Sequence, residues 1–317
     1  MKATAVPALL APAGSREGVA AALDAGADAV YVGLKGWSRG GARRELGWDE
    51  LVDAQREARS AGRRLQVAIN TIPKPQERAE LFGRIPALLD LGIDEVIVND
   101  IGILEALRRG FPDLRLTAGI GCGAQTVADA AFFRDLGAHA VVLPGTVSPG
   151  EMRQIRTVRG IAVEIMVHMV EEFVLLGKCW MPSFVHLKPS PLPALFSPEA
   201  DAGDAPEFSG LRQTGSVKRG GVGACFRICQ QSWELYAGGR WVDSRLFPSR
   251  QISRITEVGA YAGAGVDVLK LQGRSLPVEL LAPLVRRYRR AIDARTALPA
   301  DVTRPAALPA AWAVVGR

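Results

Sequence analysis

The chain has 317 residues, with 39 Lys and Arg against 33 Asp and Glu, a formal net charge of +6 and a pI near 9.4. Its 48% hydrophobic and 23% charged composition is that of a folded globular protein and excludes a disordered or fibrous chain. No apolar run approaches the ~18 residues of a membrane-spanning helix, and the basic residues are scattered over helix faces such as "RRYRRAIDAR" rather than gathered in a tract.

The N-terminal stretch "MKATAVPALLAPAG" is interrupted by two prolines and has a very short apolar core, so it reads as a first strand, Ala8–Ala13, and not as a secretion signal. From there a unit recurs. "DAGADAVYVG" (24–33), "DLGIDEVIVN" (90–99), "DLGAHAVVLP" (135–144) and "GAGVDVLKLQ" (263–272) each end a helix on Gly and begin an apolar strand, and "SAGRRLQVAIN" (60–70) is a weaker copy. The apolar runs are nearly continuous, as in strands buried on both faces. The expected strands are Ala8–Ala13, Asp28–Leu34, Arg64–Asn70, Glu95–Asp100, Leu114–Gly121, His139–Gly145, Ala162–His168 and Val266–Gly273. Helical patterns such as "WDELVDAQREARSAG" and "TVADAAFFRDLG" lie between them. This order predicts an α/β fold, a (β/α)8 TIM-like barrel, with a doubly wound open sheet as the alternative.

One connection breaks the rhythm: about a hundred residues separate the seventh and eighth strands, far more than a crossover helix needs. The expected organisation is a single barrel domain over 1–296, including an insertion at 169–262 with a loose Pro/Ala/Asp-rich stretch at 186–215, and a Pro/Ala-rich tail at 297–317.

Barrel enzymes work at the C-terminal ends of their strands. Cys122 follows the fifth strand, and Cys179, Cys225 and Cys229 lie in the insertion that leaves the seventh, so all four cysteines can meet at one face. Four thiolates suit zinc or an iron–sulfur cluster, and scattered ligands suit the cluster better. One C-x3-C pair is a weak pattern, and buried small residues are the other reading. A reducing, cytoplasmic location accords with free thiols or metal. At the same strand ends stand Asn70, Asn99, Gln125 and His168, with Lys270, Gln272 and Arg274 in "KLQGR". His168 is the candidate for proton transfer, because imidazole titrates near neutrality. Arg39, Arg43 or Arg44 in "GWSRGGARRELGW" could hold an anion. There is no nucleophile elbow, P-loop, dinucleotide fingerprint or H-E-x-x-H.

The segments "LLAPAGSREGVAAALDAGADAVYVGLKGWSRGGAR", "NTIPKP", "VNDIGILEALRR", "DVLKLQGR" and above all "EIMVHMVEEFVLLGKC" resemble the collagenase-like peptidase family U-32. Glu164, His168, Gly177 and Cys179 match its signature; Met169 replaces a Gly, and Glu172 stands where the first signature cysteine falls. "KLQGR" replaces the family's "KIEGR", and Gly145-Thr146-Val147-Ser148 replaces Arg-Glu-Leu-Ser. The resemblance implies oxygen-independent hydroxylation with a 4Fe–4S cluster and prephenate as oxygen donor. Some members modify transfer or ribosomal RNA; the U and V members of ubiquinone biosynthesis hydroxylate a quinone-precursor ring. In the V member a cysteine from elsewhere in the barrel replaces the lost ligand, a role Cys122 would take, beside a C-x3-C pair like Cys225 and Cys229. It thus implies cluster ligation by Cys122, Cys179, Cys225 and Cys229. Their place at the strand ends and their side-chain chemistry make His168, Arg274 and Lys270 the expected catalytic residues, and Arg39, Asn70, Asn99, Gln125 and Gln272 the expected substrate contacts. The expected function is hydroxylation of a small aromatic ring, alone or in a heterodimer with a U-32 paralogue. RNA modification, peptide hydrolysis and a non-catalytic partner subunit are the alternatives.

Overall fold

The computed structural model describes residues 6–38, 44–73, 75–170 and 251–294, together with the backbone of four short strands between 208 and 246. Eight parallel strands carry the fold: β1 (Ala8–Pro12), β2 (Ala29–Gly33), β3 (Arg64–Ile69), β4 (Glu95–Val98), β5 (Arg115–Ala118), β6 (Ala140–Leu143), β7 (Ala162–Val170) and β13 (Val268–Leu271). They run in the order β7-β13-β1-β2-β3-β4-β5-β6, and β6 pairs back onto β7, which closes the barrel as the repeat predicts. The open-sheet alternative is thereby excluded.

Side chains alternate across each strand. Leu10, Ala29, Tyr31, Ala68 and Ile97 point into the lumen, whereas Leu9, Val30, Val32, Val67, Val96 and Val98 join the outer core beneath the helices. That outer layer is built by α1 (Arg16–Asp24), α2 (Trp48–Ser60), α3 (Arg78–Asp90), α4 (Ile101–Gly110), α5 (Val127–Asp135), α6 (Pro149–Ile155), α7 (Val258–Gly263) and α8 (Val278–Ala294). Ser15, Asp100, Thr126 and Ser148 each accept a backbone N–H from the first helical turn of α1, α4, α5 and α6. The repeat's glycines close the preceding helices: Gly26 and Gly137 sit at φ 97° and 88°, a conformation that side chains resist.

Three expectations change. The fourth and fifth strands end earlier, because Asp100 caps α4 and because Gly119 opens a 3-10 turn, Ile120–Cys122. The seventh runs past His168 to Val170, since β12 (Gln251–Ser253) pairs antiparallel with its last residues. Hence residues 251–262, expected within the insertion, belong to the barrel wall through β12 and α7. The earlier part of that span contains β8 (Phe208–Ser209) paired with β9 (Arg212–Gln213), and a hairpin of β10 (Ser232–Ala237) and β11 (Arg240–Leu246). Among the described residues, no helix is long and apolar enough to cross a membrane.

Candidate active site at the barrel mouth

The lumen contains charge that apolar packing alone would reject. Lys270 Nζ donates to Glu164 Oε2 at 2.7 Å, with side chains only 5% and 1% exposed. Lys270 was expected on the rim; it lies inside the barrel because its register places it opposite Met166, on the inward parity of β7. Lower down, Glu95 accepts from Gln66 Nε2 at 2.8 Å and Thr117 Oγ1 at 3.0 Å, and Arg64 and Arg115 approach it at 3.5 Å. Burial raises the Glu95 carboxyl above its ordinary range, and the charge of Glu164 adds to this. These groups close the floor of the barrel.

Tyr31 spans floor and mouth. Its hydroxyl donates to Leu271 O at 2.9 Å, and burial pushes the phenol up to about 12. Lys270 Nζ lies 5.0 Å from its ring centroid and the Arg274 guanidinium 6.0 Å. Arg274 also donates to Ser38 Oγ. A Cβ built on Gly33 would lie 2.3 Å from Arg274 Nη1, so β2 must end on glycine for the arginine to fold over it. The loop after β2 is braced by the Leu34–Leu46 bridge and by Thr71 Oγ1 donating to Trp37 O at 3.3 Å. Half-buried Gln272 follows β13, and its N–H donates to His168 O at 2.7 Å. Arg274 and Gln272 thus stand at the C-terminal end of β13 and Asn70 at that of β3, on the mouth side of the barrel. Arg39 and Arg43 lie outside the described residues.

Asn99 and Gln125, expected as substrate contacts, also take part in the scaffold of the mouth. Asn99 is buried; its Nδ2 donates to Asn70 O and its Oδ1 accepts from Gly121 N, both at 3.3 Å. Its amide is used within the scaffold. Gln125 is exposed, and its backbone N–H donates to Asp129 Oδ2 at the start of α5. Cys122 is half-buried on the turn after β5, where its Sγ donates to Val98 O at 3.4 Å.

His168 departs furthest from expectation. The register of β7 against β13 shifts between Lys270 and Leu271, so that Leu271, an outer-core residue, lies opposite His168. This bulge turns the imidazole toward α8, where it meets Tyr288 edge-on with ring centroids 5.9 Å apart. Burial lowers it to about 4, away from the near-neutral value expected of a proton shuttle. The structure thus places His168 in the barrel wall against α8 and not on the open rim. His139 lies before β6 beside Arg115, at the opposite end of the barrel, as expected.

A cluster would need thiolates at this mouth. Cys122 fits that requirement: it is partly accessible and sits at a strand's C-terminal end. Cys179, Cys225 and Cys229, together with Glu172 and the 186–215 stretch, lie outside the described residues. Tyr31, Ser38 and the Glu164–Lys270 pair were missed as site features. The available signal was a polar residue at an inward, period-two position of an apolar strand.

The fold and the mouth define a parallel α/β barrel with a polar lumen and a cationic rim. The chain belongs to peptidase family U32, whose profile matches residues 14–305. It is 24% identical over 308 residues to the tRNA hydroxylation protein P of Escherichia coli K12, a match covering 90% of this chain and 68% of that protein. It is 26% identical over 301 residues to the 23S rRNA 5-hydroxycytidine C2501 synthase of the same organism, covering 93% and 41%. A collagenase of Porphyromonas gingivalis W83 is 22% identical over 306 residues, covering 90% and 65%. The chain thus spans between 41% and 68% of the length of these relatives.

Proposed function

We propose that this protein hydroxylates a base of tRNA or rRNA without molecular oxygen, a two-electron oxidation of C–H to C–OH in which a bound donor supplies the oxygen, the base loses a proton, and two electrons leave to an external electron acceptor. In this reading Cys122, Cys179, Cys225 and Cys229 hold a 4Fe–4S cluster. The observation that carries the reading is a match over 90% of the chain to a tRNA hydroxylation protein, joined to a second match to an rRNA hydroxycytidine synthase. These relatives favour RNA over the quinone-precursor ring expected from the sequence.

Each described mouth residue has a part. Arg274, held over Tyr31 and beside Ser38, offers a fork for a carboxylate or phosphate, either a donor such as prephenate or the RNA backbone. The buried Tyr31 and the Glu164–Lys270 pair seal the lumen beneath it, which excludes water from below. Lys270, bound to Glu164, fixes the floor and does not serve as a free base. The cluster, when bound, supplies redox-active iron to the oxygen donor. Peptide hydrolysis finds less support. Cys122 is tied to the end of β4, whereas His168 packs against α8, so these two do not form a nucleophile–base pair.

The test is an anaerobic reaction of the full chain with unmodified tRNA and rRNA transcripts, prephenate and an artificial electron acceptor, read by nucleoside mass spectrometry. A nucleoside heavier by one oxygen is expected, absent with Cys122→Ala. Peptide cleavage that survives removal of the iron would overturn the reading.

A further inference from the structure

The turn that carries Cys122 reads "AGIGCGA", with three glycines in five residues of its centre. Two of them are explained by one side chain. A Cβ on Gly119 would lie 2.1 Å from Asn99 Oδ1, and a Cβ on Gly121 would lie 2.6 Å from Asn99 Nδ2 and 2.7 Å from its Cγ. Neither glycine has a positive φ, so the need is for space and not for backbone freedom. Asn99 fills that space and bonds in both directions, to Asn70 O at the end of β3 and to Gly121 N beside the cysteine. The next strand residue back, Val98, supplies the carbonyl that accepts from Cys122 Sγ. One two-residue segment, Val98-Asn99, therefore fixes both the backbone and the sulfur of Cys122.

We propose that Asn99 is the positioning residue for the Cys122 thiol, and that Gly119 and Gly121 are glycine to admit its carboxamide. The significance of the mount for iron rests on the reading of Cys122 as a cluster ligand. The mount itself does not. A thiol that must meet three others needs a fixed direction, and a 3-10 turn alone, with its weak hydrogen bonds, does not give one. Aspartate at position 99 would keep the acceptor for Gly121 N–H, but it would set an oxygen against Asn70 O and a negative charge beside the sulfur. Leucine or alanine would remove both bonds.

The experiment uses metal-free full-length protein, iodoacetamide, and mass spectrometry of the peptide carrying Cys122, across the thiol's titration range. Asn99→Ala loses two hydrogen bonds and is expected to alkylate at Cys122 roughly tenfold faster than wild type. Ile85→Val, a change in the buried face of α3, destabilises the barrel without touching the turn and should stay within about twofold. Asn99→Asp, the variant to rely on if alanine does not fold, should move the alkylation profile to higher pH, because a carboxylate disfavours the thiolate. Gly121→Ala should also accelerate alkylation, and its added cost to stability should largely vanish in the Asn99→Ala background. Folded Asn99→Ala and Asn99→Asp proteins that alkylate as wild type does would overturn the proposal. Iron content after anaerobic purification separates the two readings. Faster alkylation in Asn99→Ala, together with full iron in both Asn99→Ala and Cys122→Ala, supports the mount and removes Cys122 from the ligand set.

Discussion

Replacing Lys270 by methionine leaves Glu164, 1% exposed, as an uncompensated carboxylate in the lumen. Breaking a buried pair by removing one partner costs about 3–5 kcal/mol, a large share of the ~5–15 kcal/mol that holds a typical domain together. The cost here should fall toward the upper end, because Glu95 already feels the charge of Glu164. Urea unfolding followed by circular dichroism measures it. Lys270→Met should lower the midpoint strongly at neutral pH. The double variant Lys270→Met/Glu164→Leu should recover to within ~1 kcal/mol of wild type, since well-packed apolar replacements of buried pairs are often neutral. A loss below ~1 kcal/mol in the single variant, as for a solvated surface pair, would refute the sealed lumen.

Other expectations concern the wall, the iron and the rim. His168 is neutral in the fold, at about 4 against an ordinary 6.5, so the unfolded chain binds its proton first on acidification. The stability it contributes is present above pH 6.5 and is lost as pH falls toward 4, by roughly 3 kcal/mol in all, and His168→Gln should flatten that limb of an acid-unfolding curve. Cys122→Ala should cut bound iron and sulfide sharply in anaerobically purified protein; full retention would remove it as a ligand. Arg274→Lys keeps the charge but loses the fork, so KM for the anionic reactant should rise by roughly tenfold or more with little change in thermal stability.

The barrel was legible because its signal is repeated. "DAGADAVYVG" and its relatives carry a helix stop, a glycine and a both-faces-buried strand each time, and every copy folds as that unit. β12 and α7 were missed for the opposite reason: one has three residues and the other is the short "VGAYAG", too brief for periodicity. Strand ends gathered Asn70, Gln272 and Arg274 correctly, since barrel topology alone determines that rim. What each side chain does there was less legible. His168 lies at the right strand end, but a bulge of one residue turns it to the outer face. Asn99 reads as a rim amide, yet its partners, Asn70 and Gly121, come from the segments that follow two other strands. Lys270 and Glu164 are 106 residues apart, and nothing in either motif alone announces the pair.

The central claim, hydroxylation of an RNA base, is tested most directly by the modified nucleosides of cells with and without this protein. Digested tRNA and rRNA from a deletion strain should lack one nucleoside heavier than its parent by a single oxygen. Wild-type protein should restore it under anaerobic growth, and Cys122→Ala should not. Unchanged hydroxylated nucleosides in both RNA classes after deletion would contradict the account.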